Sequence, residues 1–407
     1  MRAFVCIGVL TILFSGTTVS YAQTNAADPL ESLPIRFGPI GLNPTLAITN
    51  FGIDDNIFDD PTNPKRDFTM TVTPRLQARV RSRKVLLSGT VATGLVYYKE
   101  FDDQRSIDYA ADGRVDVDLG WFQPYALASL LDTRERLNAE LDVRAPRTQT
   151  ALAAGTRVVL SPKTGLVFAV RTAGLEFAEG TFVDGVPIAR TLNSTTRTID
   201  GGLELYLTPL TTFAVTAAHQ TDRFDESPDR DSDTFRIMPS IRMEAPAIIQ
   251  GSLAVGYRRF SVFDPETPDY SGLVVQGSLT HTLAERTKLD LALSRDVQYS
   301  FEETEPYYLT TGFRVVVTQQ LGESLDVRGI VGRDRLDYRE EATSGVPSGS
   351  DTDKRIDRAS VLGAGVGYRF QPNLRTGLDV EFARRTSDRP DRQYDRTRVF
   401  ASLTYGF

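Results

Sequence analysis

Two histidines, His219 and His281, are the only imidazoles in this chain, and acid–base or nucleophilic hydrolysis needs a histidine within hydrogen-bond reach of a serine, a carboxylate or a second histidine. His219 stands three residues before Asp222, which keeps a His219–Asp222 dyad near one rim as the competing enzymatic reading. By alternation, however, His219 falls with Phe213, Val215 and Ala217, and His281 with Leu273, Val275 and Leu279. Both are therefore expected to face outward, near opposite membrane interfaces. The single cysteine, Cys6, lies in an N-terminal apolar run that is expected to be removed, and the mature chain is then expected to have no disulfide, thiolate catalysis or cysteine-based zinc site. Glycine-rich phosphate loops, a GxSxG elbow and a His-Glu-x-x-His pair are absent. Asp54, Asp55, Asp59 and Asp60 form a carboxylate cluster that a hard cation could use. The spacing lacks the glycine and glutamate of a calcium loop, and a solvated acidic loop is the preferred reading. No catalytic residue, cofactor or metal is assigned, and the chain reads as something other than an enzyme.

The more informative charges share one phase of alternating segments. Arg75, Arg79, Arg81, Arg236, Arg242, Arg314, Arg328, Arg375, Arg396 and Arg398 stand with Asp112, Asp116, Asp118, Asp290, Asp326, Asp379 and Glu381, and Arg114 belongs to the same set. An arginine on a lipid-facing position costs roughly 2 to 4 kcal/mol at the bilayer midplane, so their concentration on one phase means that this phase meets water. Such rows suit a permeation path whose charges set selectivity. A ladder of salt bridges that only stiffens a wall is the alternative.

Period 2 is what positions these residues. Between residues 67 and 81, Phe68, Met70, Val72, Pro74, Leu76, Ala78 and Val80 alternate with Thr69, Thr71, Thr73, Arg75, Gln77, Arg79 and Arg81. The pattern recurs in segments of about 11 to 15 residues, giving an all-β, transmembrane up-and-down antiparallel β-barrel of about 18 strands, with a range of 16 to 20. The links alternate between short (82–83, 322–324, 371–373) and long and charged (55–65, 137–147, 340–357), as short turns at one end and long loops at the other require. Pro74 and Pro239 are expected at bulges or strand ends, because each removes a ladder hydrogen bond. Residues 1–22, with Arg2 followed by an apolar run, read as a secretory signal peptide; 23–43 read as a short periplasmic leader and 44–407 as the barrel. With net charge −7, no nucleic-acid partner is expected.

The last segment, 396–407, ends on Phe407, and it resembles the closing strand of a bacterial outer-membrane barrel. That resemblance makes Tyr405 and Phe407 an assembly signal and implies the barrel-assembly machinery, outer-membrane lipid and lipopolysaccharide as partners. The first segment, with Gly52-x-Asp54-x-Asn56-Ile57 followed by Thr73-Pro74-Arg75-Leu76, is similar to the BBP2-like β-barrel porin family. The family resemblance implies a porin-like channel in a Gram-negative outer membrane, with polysaccharide-export components as partners and exopolysaccharide or another polar solute as cargo. A sealed barrel anchoring an envelope complex is the other reading. If a loop folds inward to narrow the pore, 340–357 or 178–190 is the expected one.

Overall fold

The computed structural model describes residues 33–245, 247–339 and 355–407. Side chains on a strand alternate between two faces, so each two-faced segment buries its backbone by pairing with neighbours whose faces match. The barrel strands are β1 (Ile40–Asp54), β2 (Asp67–Ser82), β3 (Val85–Tyr98), β4 (Ser106–Val117), β5 (Phe122–Thr133) and β6 (Arg147–Ser161). They continue with β7 (Thr164–Phe177), β8 (Ser194–Thr208), β9 (Thr211–Phe224), β10 (Ser232–Met243), β11 (Ile249–Val262) and β12 (Tyr270–Leu283). The last six are β13 (Thr287–Tyr299), β14 (Tyr307–Leu321), β15 (Leu325–Arg339), β16 (Ile356–Gln371), β17 (Leu374–Thr386) and β18 (Tyr394–Gly406). Consecutive strands pair antiparallel, and β18 returns to β1 from Thr45↔Gly406 to Asp54↔Arg398, closing an 18-strand ring. Closure satisfies the two edges that an open sheet would expose to lipid.

The seam strand β1 carries a bulge. Its pairing with β18 shifts between Ile48 and Phe51, and its pairing with β2 shifts between Thr49 and Gly52. Asn50 adopts φ +52° there, and a Cβ at Gly52 would stand 2.0 Å from the Val399 carbonyl oxygen, so the backbones approach at a distance only glycine allows.

Two expectations need correction. Pro74 and Pro239 are neither bulges nor strand ends. Pairing skips Thr73 and Pro74 opposite β3, and Met238 and Pro239 opposite β11, while the register on either side is unbroken. The opposite neighbours, β1 and β9, pair straight through both prolines, because a missing N–H affects only the side toward which it points. The first strand also begins at Ile40, inside the segment expected to be leader, and Ile35–Phe37 folds back to pair with Ile40 to Leu42. The expected signal peptide and the first part of the leader lie outside the described residues.

A charged interior closed at one end by packed loops

The two faces of the sheet differ in kind. One carries exposed apolar side chains, among them Val91 and Leu95 of β3, Leu152 of β6, Leu362 of β16 and Leu378 of β17. On the other face, charged groups reach over an intervening strand to meet, as side chains do on the concave side of a curved sheet. Arg157 of β6 pairs with Glu204 of β8 at 2.7 Å, Arg258 of β11 with Asp296 of β13 at 2.6 Å, and Arg328 of β15 with Asp379 of β17 at 2.7 Å. Arg375 of β17 answers with Asp326 of β15 at 2.5 Å. The strand between them, β16, presents glycine at both crossing points. A Cβ at Gly365 would lie 1.9 Å from Asp379 Oδ1, and one at Gly367 2.0 Å from Arg375 Nη2. The missing side chains are the space the ion pairs occupy.

Most of the charges singled out in the sequence sit in such pairs or beside them. Arg114 donates to Asp116 at 2.6 Å and stacks 4.2 Å over the Tyr125 ring. Arg242 stands 3.6 Å from Glu204, Arg398 pairs with Glu381, and Arg396 Nε donates to Asp54 at 2.9 Å. Asp290 accepts from Thr280 Oγ1 and pairs with Lys288. Arg75, Arg79 and Arg81 climb one column of β2, Arg75 between Thr45 and Ala92, Arg79 between Gly41 and Ser88. Asp112 lies between Thr90 and Ser129, Arg236 between Ala218 and Arg258, and Arg314 between Ala292 and Gly332. Asp118 is displaced from the expected set: it lies in the turn after β4, where its Oδ1 accepts the Gly120 N–H at 2.8 Å. Sequence reasoning missed Arg157, Glu204, Arg258 and Asp296, although all fall on the charged phase of their strands.

At the long-loop end the interior is crossed. The loop 134–146 leaves β5, yet Glu140 Oε1 accepts from Ser300 Oγ at 2.5 Å, and Ser300 follows β13, eight strands away on a ring of eighteen. A hydrogen bond between such distant staves places the loop across the mouth. Arg385 of β17 holds it, donating to the Ala139 and Glu140 carbonyls at 3.1 Å, to Asp142 at 2.8 Å and to Asp357 at 2.6 Å. Arg392 donates to the Glu140 carbonyl at 2.6 Å and to Asp184 at 3.0 Å, and Arg136 reaches the Ile57 carbonyl at 2.8 Å. Leu141 and Ala145 are buried with Phe177, Val183, Ile188, Ala189, Leu192 and Phe301, so the loop 178–193 and its helix α1 (Ile188–Leu192) pack on the same crossing. The expectation for 178–190 thus holds in part, 134–146 was not anticipated, and 340–354 lies outside the described residues. Beside this closure, β13 parts from β12. Their pairing ends at Val275↔Arg295, Val297 packs on Phe260, Tyr270 and Val274, and the orphaned Leu273 carbonyl accepts from Tyr270 Oη and Arg295 Nε.

Burial drives the Glu140 carboxyl up to about 7, against the Ser300 hydrogen bond and the Arg392, Arg385 and Arg355 cations. Burial likewise raises the Asp59 carboxyl, opposed by Arg136 and Arg396. The acidic cluster is thereby structural. Asp54 and Asp59 face Arg396, Asp60 caps the Thr62 and Asn63 N–H groups, and Asp55 accepts the Thr397 N–H. The dyad reading fails on geometry: His219 is exposed on the apolar face, while Asp222 is buried on the other, accepting from Thr196 and Gln220. His281 Nδ1 lies 2.9 Å from the Ile248 carbonyl oxygen. Tyr405 and Phe407 stack edge to face at 4.7 Å, and the Phe407 N–H donates to the Pro44 carbonyl at 3.2 Å across the seam.

An 18-strand ring with an apolar outer band, a charged inner wall and alternating turns and loops defines an outer-membrane β-barrel of the porin type. The chain belongs to the family described as "Putative beta-barrel porin 2", whose profile matches residues 28–407. Its fold is similar to that of the outer membrane protein OpdK from Pseudomonas aeruginosa, at 11% identity and a TM-score of 0.47, covering 90% of this chain and 99% of that one. Acinetobacter baumannii OccAB3 gives the same identity, score and coverage. The Pseudomonas aeruginosa ferric enterobactin receptor PfeA mutant is similar at 10% identity and a TM-score of 0.45, over 90% of this chain and 80% of its own. No curated protein matches the sequence.

Proposed function

We propose that this barrel is a passive, water-filled channel for polar solutes, sorted by its charged wall and narrowed at the long-loop end by the crossing of 134–146. The observation that carries this reading is the segregation of charge: the ion pairs that bridge alternate strands all lie on the phase opposite the exposed apolar side chains. A ring of eighteen strands is too wide for side chains alone to fill. Exopolysaccharide as cargo, with polysaccharide-export components as partners, rests on the family resemblance. Tyr405 and Phe407, at the seam, are proposed as the residues read by the barrel-assembly machinery, and deletion of Phe407 should reduce heat-modifiable, membrane-inserted protein.

Planar-bilayer recording tests the channel. Pure, folded protein should give discrete conductance steps, and Arg75→Ser with Arg79→Ser should shift selectivity toward cations. An unshifted reversal potential would put those two arginines outside the path. The buried crossing favours one second reading, a barrel sealed at its loop end that serves as an envelope anchor. A conductance that is absent in the intact protein and appears with Arg385→Ala would favour sealing over permanent opening.

A further inference from the structure

The outward face is apolar through the membrane span but changes abruptly at the long-loop end of one arc. On β16, Leu362, Ala364, Val366, Tyr368 and Phe370 form the outward series, nine residues from first to last, which is the length a tilted strand needs to cross the hydrocarbon. Immediately beyond it the same face turns cationic. Pairing places Arg295 of β13 opposite Thr311, Thr311 opposite Arg335 of β15, and Arg335 opposite Arg358 of β16, in one continuous row. The adjacent row runs from Arg333 of β15 through Ser360 to Arg384 of β17. Five arginines thus occupy two neighbouring rows over β13–β17, on the face that carries Leu362 and Phe382 below them.

Their partners leave charge to spare. Arg335 shares Asp337 at 3.8 Å with Arg339, and Arg384 meets Asp395 at 3.3 Å. Among the described residues, Arg295, Arg333 and Arg358 have no carboxylate within salt-bridge range; Arg295 donates to the Thr311 hydroxyl and the Leu273 carbonyl. Within its strands the arc β3–β7 has no arginine on the outward phase; near the loop end it carries Asp132 and Glu176, with Lys99 and Arg105 in the link after β3, Arg105 lying over the Tyr97 ring. Outward arginines elsewhere, Arg197 of β8, Arg223 of β9 and Arg259 of β11, stand one to a strand, and the β13–β17 arc gathers five in two adjoining rows.

We infer that Arg295, Arg333 and Arg358, supported by Arg335 and Arg384, form a binding surface for the phosphate groups of an anionic glycolipid in the outer leaflet. Guanidinium forks match phosphate oxygens in pairs, and a lipid seated there places its acyl chains on the apolar band directly below. The inference rests on the barrel lying in an outer membrane and is independent of whether the barrel conducts.

The test uses the full-length protein in mild detergent, with native mass spectrometry reading retention of bisphosphorylated lipid A and of the same lipid after enzymatic dephosphorylation. The wild-type chain should retain the phosphorylated form preferentially, and retention should fall as salt rises. The Arg295→Gln, Arg333→Gln, Arg358→Gln triple variant should retain it on the order of a hundredfold less, while keeping heat-modifiable migration. Equal retention by the triple variant, or of both lipids by the wild type, would overturn the proposal. So would displacement by equimolar inorganic phosphate, which would assign the arginines to a soluble anion. If the triple variant fails to fold, the wild-type preference and its salt dependence still decide. Conductance, measured separately, reports on the channel reading alone.

Discussion

The short-turn end and the long-loop end of this barrel hold together by different physics. At the turn between β16 and β17, Asn373 donates to the Gly406 carbonyl at 2.7 Å and the Gly406 N–H returns to the Asn373 carbonyl at 2.8 Å, both within neighbouring strands. At the other end, Arg385 binds residues 243 to 246 positions away, and Glu140 meets Ser300 from 160 positions off. One end is stabilised by what is adjacent, the other by what folding brings together across the mouth. The loop end should therefore open as a unit while the wall stays closed, because its contacts depend on one another and the ladder does not depend on them.

The sharpest way to break this contrast is Arg385→Ala. It would leave the buried carboxylates of Asp142 and Asp357 without that partner, a loss of about 3 to 5 kcal/mol for a buried pair. Protease cleavage within 134–146 should become rapid while the barrel still migrates as heat-modifiable; unchanged protection would mean the crossing is held by its apolar cluster alone. A slightly smaller effect should come from pH. Glu140 has a folded pKa raised to about 7 from an ordinary 4.5, so its contribution to closure is complete below the ordinary value and is lost as pH rises through about 7. Across that window the loop end should weaken by roughly 3 kcal/mol, a figure that already includes the opposing pull of Arg392, Arg385 and Arg355. Faster loop proteolysis at pH 8 than at pH 5 in the wild type, abolished in Glu140→Gln, is the expected result. The smallest effect belongs to the turn end: Asn373→Ala should shift the urea midpoint by no more than about 1 kcal/mol and leave loop protection untouched.

What the sequence made legible follows the same division. Alternation is a property of adjacent residues, so β2, from Asp67 to Ser82, and the closing pair β1 and β18 could be placed within a few residues. The charged phase was equally local, and it grouped Arg375, Asp326, Arg328 and Asp379, which form two ion pairs between β15 and β17. Their pairing was not legible, because it depends on register summed over three strands, though Gly365 and Gly367, two residues apart, marked where side chains would have been in the way. The crossing of 134–146 was missed because charge and length describe a solvated loop. Leu141, Ile188 and Phe301, apolar residues stranded in three separate charged loops, were the available sign that those loops share an interior.

The bulge at Asn50 and the bare Cα of Gly52 also have a consequence for closure. The ring can zip shut in one alignment only, since sliding β18 along β1 by one residue would exchange its faces, and sliding it by two would carry Gly52 out of its close approach to Val399. Because Thr45 pairs with Gly406, that alignment joins the first and last strands of the ring, β1 and β18. Without that one pairing the same eighteen strands would be a sheet with two raw edges, so the fit of Gly52 against Val399 decides between a ring and an open sheet.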